Sequence, residues 1–225
     1  MLFRALLDAD WMTLQKTIKR RGFTLIELLV VIAIVGVLAS MLLPALGRAK
    51  SRAKATHCLS NLKQIGVCSH LYADDHEQSL PRSQHSGQSW VNSLQPYAGG
   101  KVLWRCPSDD KTTRPYSYAV NDYLTPPPPG QADYSTIGRI PSTSETMFMT
   151  ECADKYTFND HFHFAEHNDG NYSPFNYAQQ VATERHLGSA NHLFIDGHAR
   201  ALKWKLLQTE LSRSGSRLIN PAGHH

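Results

Sequence analysis

The 225-residue chain contains no CxxC pair, no HExxH, no Gly-rich phosphate loop and no nucleophile elbow. These gaps exclude, in turn, a local zinc finger or redox dithiol, a zincin protease, a P-loop nucleotide enzyme and an α/β-hydrolase. A D-x-D-x-D-G calcium loop is also missing, and no internal repeat is visible, so EF-hand and solenoid readings go as well. Charge is sparse at 19%, with a formal net charge of +4. Much of it is local: Lys16, Lys19, Arg20 and Arg21 precede one apolar run, and Arg48, Lys50, Arg52 and Lys54 follow it. That distribution is no nucleic-acid footprint.

The apolar run is residues 23–46, FTLIELLVVIAIVGVLASMLLPAL, whose only ionisable side chain is Glu27. It exceeds the roughly 20 residues a bilayer-spanning helix needs and the roughly 7–15 of a signal-peptide core, so it reads as a retained span. Helical spacing continues beyond it through Leu46, Ala49, Ala53, Leu59, Leu62 and Ile65. One long helix over residues 24–72 is therefore expected, on the order of 75 Å in length. Pro44 inside it lacks an amide donor and is expected to bend it.

From residue 74 the pattern changes to short apolar runs between Gly, Pro, Ser and Asn, which reads as strands and loops. Expected strands are 102–106, 116–120, 147–152, 192–195 and 198–204. Asp196 and Gly197 between the last two suit a type I′ hairpin turn with positive φ at both positions. The expected division is a leader over 1–22, a membrane half of the helix over 23–46, an amphipathic outer half over 47–73, and a globular domain over 74–225.

The junction Lys19, Arg20, Arg21, Gly22, Phe23, Thr24, Leu25, Ile26, Glu27 resembles the signal of type IV pilins and type II secretion pseudopilins. The resemblance implies cleavage after Gly22 by prepilin peptidase on the cytoplasmic face, N-methylation of Phe23, and an assembly role for Glu27. Met12 as an alternative start would leave that junction intact. A carboxylate inside an apolar span costs about 2.5–3.5 kcal/mol at its centre, so a passive anchor has no use for one. In a filament it can meet the amine of a neighbouring Phe23.

A second element, His186 followed after nine residues by Asp196 and Gly197, is similar to the H-x9-DG segment of many bacterial prepilin-like proteins. The stretches CLSNLKQIGVCSHLYADDHEQSLP and LWRCPSD resemble the same group. The implied fold is α+β and pilin-like: a long N-terminal transmembrane helix packed on a small antiparallel sheet with large loops. The implied function is that of a non-enzymatic subunit of a pilus-like filament, first a type II secretion major-pseudopilin-like protein. A surface type IV pilin for adhesion or DNA uptake, and a membrane-tethered periplasmic metal-binding protein, are the alternatives. Implied partners are prepilin peptidase, identical or related pilin subunits, an inner-membrane assembly platform with its cytoplasmic ATPase, and the membrane itself.

Side-chain chemistry beyond these motifs is less directive. Cys58, Cys68, Cys106 and Cys152 have no zinc-finger spacing, which speaks against a structural zinc site. On the exported side they suit one or two disulfides, with Cys58 to Cys106 the expected bridge, although four buried thiols fit the sequence too. Asp196 reads first as a turn residue, with a calcium site drawing on Asp109, Asp110 and Asp196 as the alternative. His161, His163 and His167, set among Asn, Asp and Gly, read as an exposed loop rather than a metal site.

Overall fold

A computed structural model describes residues 22–83, 89–100, 104–111, 114–127, 129–156, 160–162 and 173–223. The described residues form four α-helices and five strands, besides three short 3-10 turns: α1 (Leu25–Asp75), α2 (Trp90–Leu94), β1 (Tyr118–Asn121), β2 (Met147–Glu151), β3 (His161–Phe162), α3 (Pro174–Gln180), β4 (Ser189–Phe194), β5 (Ala199–Lys203) and α4 (Trp204–Leu211). By contacts the chain divides into two units, the first ending at Leu46 and the second beginning at Gly47.

In the first unit, α1 starts on a capping box. The Thr24 backbone N–H donates to Glu27 Oε2 at 2.8 Å, while the Glu27 N–H donates to Thr24 Oγ1 at 3.2 Å. These bonds satisfy amides that a helix N-terminus otherwise leaves open. Leu25, Ile26 and the large apolar residues of 28–46 are all exposed. An apolar surface on every side of a helix requires an apolar environment. Pro44 lies within α1, and the helix is continuous through it.

The second unit contains the rest of α1, which buries Cys58, Leu62, Ile65, Cys68 and Ala73. The buried stripe thus begins at Cys58; Ala49 and Ala53, expected on it, are exposed. Past Asp75 the chain leaves the helix through left-handed Glu77 and Gln78, with the Gln78 N–H donating back to Ala73 O at 2.8 Å.

The sheet has strand order β3-β1-β2-β4-β5. Three of its four pairings are antiparallel, but β1 and β3 run parallel, so the sheet is mixed. Alternate side chains face opposite cores because successive strand residues point to opposite faces. Tyr118, Val120, Phe148 and Leu193 join the α1 stripe with Trp90 and Leu94. Ala119, Met147, Phe162 and Phe194 face Tyr177 of α3 and Leu207 and Leu211 of α4. With both faces covered, β2 is buried at all five positions, Thr150 and Glu151 included, which is why its first three residues are apolar without alternation.

Two strand expectations are corrected. Residues 104–106 are irregular, because the Ser117 N–H reaches Trp104 O at 2.7 Å while the Cys106 N–H turns to the Ser117 hydroxyl. Residues 102 and 103 lie outside the described set. The β4–β5 turn is not type I′: Gly197 has φ +87°, whereas Asp196 is not among the positive-φ residues. The Gly197 N–H donates to Phe194 O and the Phe194 N–H to His198 O, which closes a three-residue loop with glycine in its left-handed position.

Candidate functional site

The H-x9-DG element is split between two places that both abut α1. Its Asp196 and Gly197 form the hairpin tip over the helix. A Cβ built on Gly197 would lie 3.1 Å from His70 Nε2, and one on Gly66 of α1 would lie 2.9 Å from Leu193 Cδ1 and 3.3 Å from Gly197 O. Two glycines thus let a helix and a hairpin approach closely. Asp196 Oδ1 accepts from the His198 N–H at 3.1 Å and lies 2.5 Å from His198 Nδ1, so the carboxylate braces the turn.

His186 stands at the other end of β4, where left-handed Leu187 and Gly188 fold its backbone against Ser189. Its side chain enters a buried cluster with Cys58 of α1, Cys106 of the irregular segment, and Glu151 of β2. His186 Nε2 is 2.7 Å from Glu151 Oε1 and 3.5 Å from Cys106 Sγ. The Cys58 thiol donates to Glu151 Oε1 at 2.5 Å. One ligand-type atom from each residue lies within 4.8 Å of every other.

The electrostatics of the cluster are those of mutually dependent groups. Burial pulls the His186 imidazole down, but its bonds to Cys106 and Glu151 outweigh that and raise it to about 9. Burial pushes Glu151 up, yet the His186 bond and charge leave it below the usual carboxylate range. Cys106 is lowered to about 6, chiefly by its bond with Cys58, and Cys58 is raised by burial first.

Each of three members has a further polar neighbour. The Tyr118 hydroxyl lies 3.1 Å from Cys58 Sγ, the Ser108 N–H donates to Cys106 Sγ at 3.4 Å, and the Asn191 N–H donates to Glu151 Oε2 at 3.3 Å. Arg185 is nearly buried and bonded to Cys152 O and Asp154, and its charge acts on Glu151 and Cys106.

Cys58 and Cys106 are brought together as expected neighbours, but as free thiols and not as a disulfide; Cys68 and Cys152 are free as well. The three aspartates considered for calcium are not gathered. Asp109 is buried against Arg114 at 2.8 Å, Asp196 is engaged with His198, and Asp110 is exposed. Among the described residues, the cluster around Glu151 is the one group of His, Cys, Asp or Glu close enough to hold an ion. His161 is no loop residue: it is buried in β3, 3.0 Å from Asp160, while His163 and His167 lie outside the described residues.

Sequence reasoning missed Glu151 altogether. Its signal was a carboxylate closing the otherwise apolar run MFMTE, since an acidic side chain in a fully buried strand requires a partner. It also missed the capping role of Glu27, although Thr24 three residues earlier spells the box.

Comparison with known proteins bears on both regions. Residues 18–43 match the profile of the prokaryotic N-terminal methylation motif. The chain is 33% identical over 128 residues to type II secretion system core protein G of Klebsiella pneumoniae, covering 53% of this chain and 85% of that protein. To the protein of the same name from Escherichia coli strain K12 it is 30% identical over 134 residues, covering 57% and 86%. It is also 43% identical over 47 residues, 21% of each chain, to type IV major pilin protein PilA of Myxococcus xanthus. No solved structure matches it significantly.

Proposed function

The chain belongs to the type II secretion system core protein G family, and we propose on that premise that it is the major-pseudopilin-like subunit of a secretion pseudopilus. The role is structural rather than enzymatic. Prepilin peptidase cuts after Gly22, the new amine of Phe23 is methylated, and the first half of α1 holds the processed subunit in the bacterial inner membrane. The remainder of the chain then lies in the periplasm. Subunits leave the membrane to form the filament under an assembly platform and its cytoplasmic ATPase, bundling their apolar helices.

One observation supports this reading best: an exposed, apolar helix half that opens on Thr24 and Glu27 directly after Gly22 and Phe23. A simple anchor needs the apolar surface but not the acid. In a bundle, Glu27 is near enough to its own N-terminus to exchange its Thr24 bonds for the amine of another Phe23, so an apolar core holds a paired charge.

The test is Gly22→Val and Glu27→Leu in the native host. Gly22→Val puts a branched side chain where the peptidase needs close backbone approach, so unprocessed protein should accumulate. Glu27→Leu should be processed and inserted normally while fibres from the overproduced protein are lost. A Gly22→Val protein whose N-terminus is still Phe23, or normal fibres from Glu27→Leu, would overturn the proposal. Fibres on the cell surface that leave secretion unaffected would transfer the chain to the type IV pilin role.

A further inference from the structure

The buried cluster that His186 enters gathers two sulfurs, an imidazole nitrogen and a carboxylate oxygen within 4.8 Å of one another. We infer that Cys58 Sγ, Cys106 Sγ, Glu151 Oε1 and His186 Nε2 are the four ligands of a closed structural zinc site. This goes beyond the filament role and does not depend on it.

Two sulfurs, one imidazole nitrogen and one carboxylate oxygen are each ligand types that zinc takes, and four protein ligands without an open position mark a structural site. Calcium is excluded by the same set, since it requires six to eight oxygens and has no affinity for thiolate.

Tetrahedral zinc with bonds of about 2.0–2.3 Å sets its ligand atoms roughly 3.3–3.8 Å apart. Cys106 Sγ and His186 Nε2 are already at 3.5 Å, and all four atoms lie within 4.8 Å of one another. Glu151 Oε1 is closer to its neighbours, at 2.5 and 2.7 Å. These are hydrogen-bond separations, so zinc binding requires Oε1 to move outward by roughly 1 Å, while Oε2 accepts from the Asn191 N–H.

Surroundings and charge agree with this assignment. The Ser108 N–H on Cys106 Sγ, the Tyr118 hydroxyl beside Cys58 Sγ and the Asn191 N–H on Glu151 are the outer bonds that orient and stabilise charged ligands. Two thiolates, a carboxylate and a neutral imidazole carry a charge of −3, which Zn²⁺ reduces to −1. The nearly buried Arg185 offsets the last unit. Binding requires two thiolates and a neutral imidazole, so the protons held by Cys58 and His186 go to solvent, and no change of oxidation state is needed.

The consequence is a cross-link. Cys58 is on α1, Cys106 precedes β1, Glu151 is on β2 and His186 leads into β4. One ion therefore joins the outer part of the helix to the sheet.

The experiment uses the full chain, purified in detergent from membranes under reducing conditions through a histidine-free tag. The expected result is one zinc per chain by elemental analysis after dialysis. Cobalt(II) exchange should give the intense visible bands and sulfur-to-metal charge transfer of a tetrahedral thiolate site. Cys106→Ser and His186→Gln should lose the metal, Cys68→Ser and Cys152→Ser should keep it, and chelator should lower the unmutated Tm by more than about 5 °C. Metal-free protein that binds no zinc, a Cys58 to Cys106 disulfide in the isolated chain, copper in place of zinc, or full zinc content in His186→Gln would each overturn the assignment. Should the ligand variants fail to fold, the cobalt spectrum of the unmutated chain decides: a thiolate charge-transfer band upholds the site, and its absence removes it.

Discussion

His192 sits in β4 with its ring fully buried and its Nδ1 2.7 Å from Thr150 Oγ1. Burial, only partly countered by the charge of Glu151, depresses its imidazole to about 4. Between pH ~6.5 and 4 the unfolded chain takes up a proton that the folded ring refuses. The stability from neutral His192 is thus complete above about pH 6.5 and falls on acidification, by about 3 kcal/mol once pH is below 4. Thermal melts at pH 7 and 4.5 should show a smaller acid loss in His192→Gln than in the unmutated chain. Asp196 makes a different demand, because its Oδ1 only accepts within the turn. An Asn oxygen accepts equally well, so Asp196→Asn should change stability by less than about 0.5 kcal/mol in denaturant unfolding, with no response to calcium.

For elements, the contact that matters is α1 against the β4–β5 hairpin. Gly66 is in a helix interior, where alanine is ordinarily better by about 1 kcal/mol. Here the added methyl would meet Leu193, which is wholly buried, and the carbonyl of Gly197. Overpacking of that kind costs about 1–3 kcal/mol and should outweigh the propensity gain. Gly66→Ala is therefore expected to be net destabilising in urea unfolding. Gly197→Ala combines a left-handed φ, costing roughly 1–2 kcal/mol for any L side chain, with crowding at His70. It should lower Tm more than Gly66→Ala does. The type I′ expectation failed at this same turn. An Asp-Gly pair serves a two-residue or a three-residue loop, and the seating of Gly197 against His70 and Gly66 accompanies the latter.

On the scale of the whole molecule, the two units answer to different solvents. Residues 25–46 expose apolar side chains on all sides, whereas the second unit buries both faces of its sheet. The Glu27 phenotype and the zinc content consequently probe separate parts of the protein. Loss of fibres in Glu27→Leu should leave metal content unchanged, and Cys106→Ser should leave cleavage after Gly22 unchanged. N-terminal sequencing and elemental analysis of both variants check this independence.

Read alone, the chain settles whatever depends on neighbours along it. The apolar run, the Gly22 and Phe23 junction, the α1 helix and the glycine turn at Gly197 all follow from patterns a few residues long. Tertiary structure decided the rest. It placed β3 parallel to β1, took residues 104–106 out of the sheet, committed Asp109 to Arg114, and gathered Cys58, Cys106, Glu151 and His186. Those four ligands lie on segments far apart in the chain, so no local spacing announces them. They meet because burying the α1 stripe on the sheet brings Cys58 over Glu151, where a carboxylate removed from water must find partners.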